Sequence, residues 1–479
     1  MPDSAREDMS DRHAAAAGLL EAHRQDHVLA DWDQLDDQSR STLLDQIDAI
    51  PWSVLAQERQ LLSTEDQVPK VQHDFHSPVV IEPDSEQRAA YRAAGEEWIA
   101  AGRIAAFTVA GGQGTRLGWN GPKGTYPATP VSGKPLFACF AEQLLAVERR
   151  YGVVVPWYIL TSPENDGATR NFLLDNKCFG LERNNIMLCM QGTMPVFDVE
   201  HGRLLMTGPG RIATSPDGHG GSLDALANSG ALADMAVRGA ELISYTQVDN
   251  PLATLIDPVF IGLHADQRHS SEQVSSKVVE KTDPAERVGV FAQHGNSTTV
   301  IEYSDLSSEQ AAARTHDGRL QFNAGNIAIH LFSRSFVEEI VGAGGAGLPW
   351  HRAVKAMPVW DARTGHLIEP QHPNAVKMER FIFDVLARAD RPAILRVERD
   401  EEFAPIKNAG GNDSPQTSSR LQSDLHGGWL ESCGVEIPRD AQGHVDALVE
   451  IGPLTALVRE DLQQMDLPSR VERGDSFLL

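Results

Sequence analysis

From residue 104 onward, short apolar runs of strand length alternate with longer segments of helical periodicity. The helical segments are PLFACFAEQLLAVERRYG, NDGATRNFLLDNK and SLDALANSGALADMAVRGA. The runs that we expect to form strands are IAAFTVA, VVVPWYILT, NNIMLCMQ, ELISYTQV and PVFIGLHA, followed by GVFAQ, STTVIEY and IAIHLFS. Because such alternation is typical of a parallel or mixed sheet covered by helices, the sequence predicts an α/β fold.

The segments on either side of this alternating region differ from it. Apolar residues recur at helical spacing over residues 28–47, with acidic residues on the other face. A further helix should begin at the cap Asp84 and stop at Gly102. The chain of 479 residues is long enough for more than one core. We expect three domains, namely a mainly helical N-terminal domain at 1–100, a core at 101–420 and a small C-terminal domain at 421–479.

The charge balance limits the partners of this protein. There are 67 Asp and Glu residues against 42 Lys and Arg, which gives a formal net charge of −25. This charge disfavours sequence-independent binding of nucleic acid, because such binding needs a cationic face. We find no apolar signal-peptide core and no apolar run long enough for a membrane span, and we therefore expect a cytoplasmic protein without a membrane partner. An anionic substrate must then be held by a local basic pocket.

The stretch FTVAGGQGTRLGWNGPKGTYP, residues 107–127, places a cluster of glycines and a lysine directly after the first apolar run. It does not fit a dinucleotide-binding loop, since Gly118 falls one residue too late for GxGxxG. It does not fit a P-loop either, because the pattern GxxxxGK[ST] is missing. If this turn binds phosphate, it is a phosphate-binding loop of a type other than these two.

The residues of this turn nevertheless suit a phosphate ligand. Arg116 can clamp phosphate oxygens, and Lys123 follows a proline that fixes its entry angle. A surface turn with an incidental lysine is the alternative, which the two cations after a strand disfavour. The glycines that we expect to adopt positive φ and to bring backbone amides to a phosphate are Gly111, Gly112 and Gly114.

The run ELISYTQVDNPL ends a predicted strand with an acidic residue. Asp249 stands at the carboxyl end of this strand, where open α/β sheets bind ligands. A carboxylate there can hold Mg²⁺, which usually takes one or two carboxylates plus phosphates and water. Asp249 can also cap the next turn, since Asp-Asn-Pro is typical of turns, and the two roles are compatible.

Several motifs together resemble one family. VAGGQGTRLGWNGPKG is similar to the signature loop of the UDP-sugar pyrophosphorylase family, in particular its UDP-N-acetylhexosamine pyrophosphorylase branch. Further motifs follow in the family's order, namely QVDNPLATLIDPVFIG, SSKVVEKTDPAERVGV, DGRLQFNAGNIAIH, VKMERFIFDV and DEEFAPIKNA. The resemblance covers most of the chain. It implies a Rossmann-like nucleotidyltransferase core, with a mixed, mainly parallel sheet and helices on both faces, between small N-terminal helical and C-terminal domains.

The resemblance implies a Mg²⁺-dependent reaction in which UTP and a sugar 1-phosphate give a UDP-sugar and pyrophosphate. Arg116, Lys123 and Lys407 match the family's catalytic cations, with Lys123 at the α-phosphate and Lys407 between donor and acceptor phosphates. Asp249 matches a ligand of the nucleotide and the metal. Gln191 matches the residue that reads uracil, although such a glutamine is more often a strand-end hydrogen-bonding residue. The residues that match the remaining nucleotide contacts are Val109, Ala110, Gly111, Gly112, Gln113, Gly114, Thr115 and Gly218.

The same resemblance implies a set of residues that contact the sugar. Glu302 and Asn326 match residues that read the hydroxyls and the N-acetyl group. His219 stands where animal and fungal members typically have asparagine and where bacterial relatives can carry histidine, so we expect a bacterial-type enzyme; otherwise it is a loop histidine without a ligand. Phe381 and Phe383 alternate in RFIFD, so we expect both rings on one face of a strand, where they line the acetamido pocket or pack in the core.

The sequence therefore predicts a uridylyltransferase that joins UTP to N-acetylglucosamine 1-phosphate or to its galactosamine epimer. A UDP-glucose or broad-specificity UDP-sugar pyrophosphorylase is an alternative, which the motifs NAGNI and FIFD disfavour. A non-catalytic UDP-sugar-binding protein is less expected, because Lys123, Asp249 and Lys407 are all present. The missing GxGxxG pattern disfavours a dehydrogenase.

Overall fold

The computed structural model describes residues 3–57, 75–342 and 347–479. The chain divides into two compact units. The small unit combines Met1–Gln72, Gly192–Gly221 and Leu348–Ile382, and the sheet unit combines His73–Gln191, Ser222–Gly347 and Phe383–Leu479. These units are discontinuous in sequence, and the boundaries of the three domains expected from the sequence stay a prediction.

A nine-stranded mixed sheet forms the centre of the sheet unit. Its strands are β1 (Ile104–Val109), β2 (Trp157–Thr161), β3 (Ile186–Met190), β4 (Leu242–Gln247), β5 (Val274–Glu280), β6 (Val290–His294), β7 (Ser297–Ile301), β8 (Ala324–Ser333) and β9 (Ala393–Arg396). The spatial order is β7-β6-β8-β4-β1-β2-β3, and β5 pairs with both β8 and β9. β4, β1, β2 and β3 are parallel, whereas β8 runs antiparallel to both β4 and β5. β4 and β5 therefore end at the same edge of the sheet.

The helices follow the predicted segments with two exceptions. SLDALANSGALADMAVRGA is divided into two helices at Gly230, and the first part of the 28–47 segment forms two short 3-10 helices, Asp26–Leu29 and Trp32–Gln34. The α-helices of the described chain are α1 (Asp3–Ala22), α2 (Asp37–Asp48), α3 (Trp52–Gln57), α4 (Ser85–Ala100), α5 (Leu136–Tyr151), α6 (Asp166–Asp175), α7 (Ser222–Asn228), α8 (Ala231–Arg238), α9 (Pro258–His264), α10 (Ser308–Ala312), α11 (Arg334–Gly342), α12 (Arg399–Glu402) and α13 (Pro415–Ser432). The predicted cap of α4 is confirmed, because Asp84 accepts the amide of Gln87 in a capping box. Gly102 follows the helix with φ of 70°.

One predicted strand is wrong. The run PVFIGLHA forms helix α9, which Asp257 caps and Pro258 opens. A Cβ on Gly262 would lie 1.9 Å from the carbonyl oxygen of Tyr91, and one on Gly95 would lie 1.8 Å from that of Pro258. Helices α4 and α9 therefore meet backbone to backbone. Because α9 is buried all round, its apolar run is continuous and resembles that of a buried strand.

The small unit contains helices α1, α2 and α3 and a three-stranded antiparallel sheet. The strands of this sheet are Phe197–Asp198, His351–Lys355 and Ala375–Glu379. Three short antiparallel pairs also belong to this unit, namely Thr193–Pro195 with Thr214–Pro216, Met206–Gly208 with Arg211–Ile212, and Val359–Asp361 with His366–Ile368. Leu43, Leu44 and Ile47 are buried, which confirms the helical periodicity predicted for α2.

The end of the chain forms a small hydrophobic cluster of its own within the sheet unit. Helix α13 packs on the parallel pair Leu448–Glu450 and Ser476–Leu478 around a buried cluster that includes Leu430, Val449 and Leu462. Throughout the three described ranges, no helix is long and apolar enough to cross a membrane.

Candidate active site

The glycine-rich stretch leaves β1 at the carboxyl edge of the sheet and folds back on itself. The Gly114 amide donates to the Gly121 carbonyl at 2.9 Å, and the Lys123 amide donates to the Gly112 carbonyl at 3.1 Å. Asn165, which is fully buried, donates from Nδ2 to the Ala110 carbonyl at 2.9 Å. Sequence reasoning missed Asn165, although it lies just past the second strand in TSPEND. Together these bonds fix the backbone of the loop through its carbonyls.

The amides of the same loop are left available. Five of them donate to no residue that the structure describes, namely those of Gly111, Gly112, Gln113, Thr115 and Arg116. A Cβ on Gly112 would meet no described atom within 4 Å. Unpaired amides that follow one another in a turn form a binding site for an anion. The loop can therefore hold several phosphate oxygens through its backbone.

The expected positive φ at three glycines of this loop is wrong. The glycines with positive φ in this loop are Gly118, at 69°, and Gly121, at 153°. A Cβ on Gly111 would lie 3.1 Å from Oε1 of Gln191, so a larger residue there would have to displace this side chain by a few tenths of an ångström. Gly114 is needed because a Cβ would lie 2.7 Å from the Cβ of Trp119. Close packing, rather than backbone conformation, therefore requires glycine at Gly114.

Two cations belong to this loop. Arg116 is exposed and forms no ion pair within the described chain. Lys123 opens a short 3-10 helix after Pro122, and its Nζ lies 3.2 Å from Oδ2 of Asp249. The side chains of Lys123 and Asp249 are 19% and 12% exposed, so the ion pair is largely shielded from water but can still contact a ligand. The structure thus brings together the predicted Lys123 and Asp249 from loops after β1 and β4.

Gln191 lies beside the glycine loop. It follows β3 directly, and its amide donates to the Thr161 carbonyl at 2.8 Å. Its side chain is mostly buried, with Oε1 against Gly111. An amide side chain in this position can donate and accept at once, as an imide edge requires. The uracil contact of Gln191 stays a prediction.

The loop that carries Lys407 is fixed to the same strand end as Asp249. The Ile406 amide donates to the Asp249 carbonyl at 2.8 Å. Asn250 holds this loop at two further backbone groups, a role that sequence reasoning missed. The Lys407 side chain is 41% exposed, and its Nζ lies 3.7 Å from Oδ2 of Asp413. A single residue, Asp249, therefore positions one lysine through its carboxylate and the other through its carbonyl.

Glu302 and Asn326 come together around one glycine. The Asn326 amide donates to the Gly289 carbonyl at 2.8 Å, and a Cβ on Gly289 would lie 3.3 Å from Oε1 of Glu302. Burial raises the pKa of the Glu302 carboxyl, and the nearby Asp305 adds to this, whereas Lys407 opposes it. Glu302 is therefore close enough to Lys407 for their charges to interact.

In the small unit, a buried ion pair holds the second glycine-rich turn. Nη2 of Arg380 donates to Oδ2 of Asp217 at 2.8 Å, and the side chains are 10% and 7% exposed. Gly218 has φ of 83°, and a Cβ there would lie 2.3 Å from the Arg380 carbonyl oxygen. Nδ1 of His219 accepts the Ile382 amide at 3.1 Å. Because Nδ1 accepts, the ring proton is on Nε2, so His219 keeps a donor there.

The two phenylalanines of RFIFD do not share a strand face, and this expectation is wrong. The strand Ala375–Glu379 ends before them, and a 3-10 helix, Ile382–Arg388, begins between them. The chain leaves the sheet at Arg380, whose amide donates to the Asp217 carbonyl and whose own carbonyl accepts from the glycine-rich turn. The backbone of Arg380 therefore makes its hydrogen bonds to this turn and not to a neighbouring strand of the sheet.

Phe381 and Phe383 consequently lie in different surroundings. Phe381 belongs to the small unit, where its ring centroid is 5.4 Å from that of His219 and 4.5 Å from that of His351. Phe383 belongs to the sheet unit and is 6% exposed. Phe381 thus holds the ring of His219 by stacking.

The donor set suits a magnesium ion shared with a polyphosphate. Among the described residues there is no cluster of three or more His, Cys, Asp and Glu side chains that could hold a metal by itself. Mg²⁺ in phosphate-transfer sites needs only one or two carboxylates, because phosphates and waters complete its coordination. Asp249, beside the loop amides and Lys123, fits this requirement.

A mainly parallel sheet with free loop amides, an exposed arginine and two lysines at its carboxyl edge defines an α/β protein of the nucleotidyltransferase class. The family model described as UTP–glucose-1-phosphate uridylyltransferase matches residues 55–414. The chain belongs to this family, and it is an enzyme of the uridylyltransferase type.

Individual relatives agree with this assignment. The chain is 34% identical over 463 residues to UDP-N-acetylhexosamine pyrophosphorylase-like protein 1 of Xenopus tropicalis, with 90% of each chain covered. It is 36% identical over 388 residues to the UDP-N-acetylglucosamine pyrophosphorylase of Saccharomyces cerevisiae, with 80% of each covered. The crystal structure of the uridine diphosphate N-acetylglucosamine pyrophosphorylase of Trypanosoma brucei with an inhibitor matches at a TM-score of 0.81, with 26% identity and 98% of each chain covered.

These comparisons confirm the predicted family and fold class. The bacterial-type expectation, which came from His219, is not borne out, since these relatives are eukaryotic. A single loop residue is too small a part of the chain to assign its origin.

Proposed function

We propose that this protein forms UDP-N-acetylglucosamine and pyrophosphate from UTP and N-acetylglucosamine 1-phosphate, with the galactosamine epimer as a further acceptor. The observation that carries the proposal is the set of free amides beside the Lys123–Asp249 pair at one sheet edge. The names of the relatives support an N-acetylated sugar.

The chemistry follows from the charges. The phosphate of the sugar attacks the α-phosphorus of UTP, and pyrophosphate leaves in line. The free amides and Arg116 hold the β- and γ-phosphates. Lys123 donates to the α-phosphate oxygens, where negative charge grows in the transition state. Lys407 binds the incoming phosphate and reduces its repulsion from UTP. The attacking phosphate is already an anion, so the step needs neither a general base nor a covalent enzyme intermediate.

Asp249 has two tasks in this proposal. Its pairing with Lys123 at 3.2 Å keeps the ammonium aimed at the loop before UTP arrives. It is also the residue that would hold Mg²⁺, which when bound neutralises charge on the phosphate oxygens.

The cytoplasmic location expected from the sequence stays a prediction.

The remaining side chains select the base and the sugar. Gln191 beside Gly111 suits the imide edge of uracil. Glu302 and Asn326, joined around Gly289, offer an acceptor and an amide for sugar hydroxyls and the acetamido group. The predicted roles of Gly218, His219, Phe381 and Phe383 at nucleotide and sugar belong to the same proposal.

The proposal is tested by pyrophosphate release from UTP with Mg²⁺ and a panel of sugar 1-phosphates. We expect turnover with both N-acetylated hexosamine 1-phosphates and kcat/KM at least about tenfold lower with glucose 1-phosphate, because a polar pocket rejects an analogue that leaves its groups unpaired. Preference for glucose 1-phosphate, which the name of the family model suggests, would replace the proposal with a UDP-glucose pyrophosphorylase. Tight UDP-sugar binding with no turnover on any sugar would make it a binding protein.

A further inference from the structure

A fully buried lysine of the sheet unit pairs with two carboxylates outside the phosphate loop. Lys277, in β5, has no exposed surface. Its Nζ lies 2.7 Å from Oδ2 of Asp257 and 2.5 Å from Oε1 of Glu402. A buried lysine is costly unless it is fully paired, and such a triad adds little to stability compared with apolar packing. A task other than stability is therefore worth seeking for Lys277.

The triad adjoins the segment that leads to Lys407. Glu402 is the last residue of α12, and its carbonyl accepts Nδ2 of Asn250 at 2.7 Å. The Ala404 amide donates to Oδ1 of Asn250 at 3.0 Å, and the Ala404 carbonyl accepts Oγ of Ser418 at 2.6 Å. The segment 402–406 is thus held along its backbone, and Lys407 follows immediately.

We propose that Lys277 is a positioning residue that acts through Glu402 to fix the segment 402–406 and so to place the Lys407 ammonium for phosphate transfer. The inference rests on the proposed function, because it assigns Lys277 to the reaction through Lys407. Lys277 itself is buried under the segment and touches no substrate.

The direction of the effect follows from the two carboxylates. Without Lys277, two mostly buried carboxylates would lie together with no cation between them, so one must take up a proton or move towards water. Asp257 is fixed, because its Oδ1 accepts the Val259 amide at the start of α9. Glu402 ends a helix of one turn, and it is the partner that moves. A shift of about 1 Å in a group that positions a substrate can cost about a hundredfold in rate.

A double-mutant cycle on kcat in the full-length enzyme tests this inference. We expect Lys277→Met to lower kcat by about ten- to a hundredfold, and to change it by less than about threefold when Lys407 is already alanine. An equal fall in kcat in both backgrounds would overturn the inference, and so would an unchanged kcat in Lys277→Met. The matched control is Lys134→Met, which breaks the ion pair with Glu142 at 2.8 Å in the same unit and should leave kcat within about twofold.

A second variant keeps the test decisive if Lys277→Met does not fold. Glu402→Gln keeps the size and a hydrogen-bond acceptor but removes the charge that Lys277 pairs with, and it enters the same cycle with Lys407→Ala. A kcat equal to wild type, or a fall that is additive with Lys407→Ala, again contradicts the inference. Failure of the proposed function is distinguishable, because the wild-type enzyme would then release no pyrophosphate with any sugar 1-phosphate.

Discussion

The two glycine-rich turns of this protein are built in opposite ways. In the sheet unit, residues 110–123 leave five amides free, and a Cβ on Gly112 would meet nothing within 4 Å. In the small unit, the glycines of residues 217–221 are needed for packing. A Cβ on Gly221 would lie 2.0 Å from Oδ1 of Asp217, and one on Gly220 would lie 2.7 Å from the Arg380 carbonyl carbon. The first turn offers backbone to a ligand, whereas the second closes around an ion pair.

This difference shows what glycine does in each turn. In the first, the absence of a side chain at Gly112 leaves room for an anion next to free amides. In the second, the absence of a side chain lets the chain pack so tightly that one ring, that of His219, is fixed by a hydrogen bond and by stacking. Under the proposed function, the phosphate chemistry belongs to the first turn, and the predicted part of His219 in sugar selection belongs to the second.

The largest expected effect concerns the cation of the first turn. Lys123→Ala should lower kcat by on the order of a hundredfold or more, because it removes stabilisation of charge that grows in the transition state. Steady-state pyrophosphate release measures this effect. If kcat survives and only KM rises, Lys123 serves ground-state binding instead.

Asp249 should give the next largest effect. Asp249→Asn keeps the shape of the side chain but removes its charge, so the Mg²⁺ concentration for half-maximal rate should rise about tenfold or more. A titration of initial rate with Mg²⁺ measures the shift. An unchanged Mg²⁺ requirement would remove Asp249 from the metal site and leave it as the partner of Lys123.

Two alanine substitutions compare the turns directly. Gly221→Ala should lower the free energy of unfolding by about 1–3 kcal/mol, since its Cβ would overlap the Asp217 carboxylate. Gly112→Ala should leave that free energy within about 0.5 kcal/mol, because no atom is close, but should raise the KM for UTP several-fold. Urea unfolding and steady-state kinetics provide the two readouts. Equal losses of stability would contradict the distinction between the turns.

The smallest expected effect is at His219. His219→Asn keeps a hydrogen-bond donor but places it on a shorter side chain. The ratio of kcat/KM between sugar 1-phosphates should therefore shift by about threefold, as expected when one modest contact is lost. The KM for UTP should stay the same within error. A ratio equal to that of the wild type would exclude His219 from the sugar site.

The strands around the phosphate loop could be predicted because they are short, buried and parallel, and therefore read as continuous apolar runs. The same reasoning failed for PVFIGLHA, because a helix that is buried on every side also has a continuous apolar run in its sequence. It also failed for RFIFD, where two backbone hydrogen bonds of Arg380 redirect the chain.

The supports of the site could not be predicted for a different reason. Asp217 pairs with a residue 163 positions away, and Lys277 with one 125 positions away. Each residue alone reads as a solvated charge, and only the fold reveals the buried pair. The loop residues Arg116 and Lys123, by contrast, lie together in one stretch of sequence, and so the phosphate half of the site was predictable.

The most direct test of the division between the two turns compares two variants on two acceptors. The quantity to measure is the ratio of kcat/KM for N-acetylglucosamine 1-phosphate to that for glucose 1-phosphate, in Lys123→Ala and in His219→Asn. We predict that Lys123→Ala lowers both values together and keeps the wild-type ratio, whereas His219→Asn changes the ratio. A changed ratio in Lys123→Ala together with a wild-type ratio in His219→Asn would contradict the assignment of phosphate chemistry to one turn and sugar selection to the other.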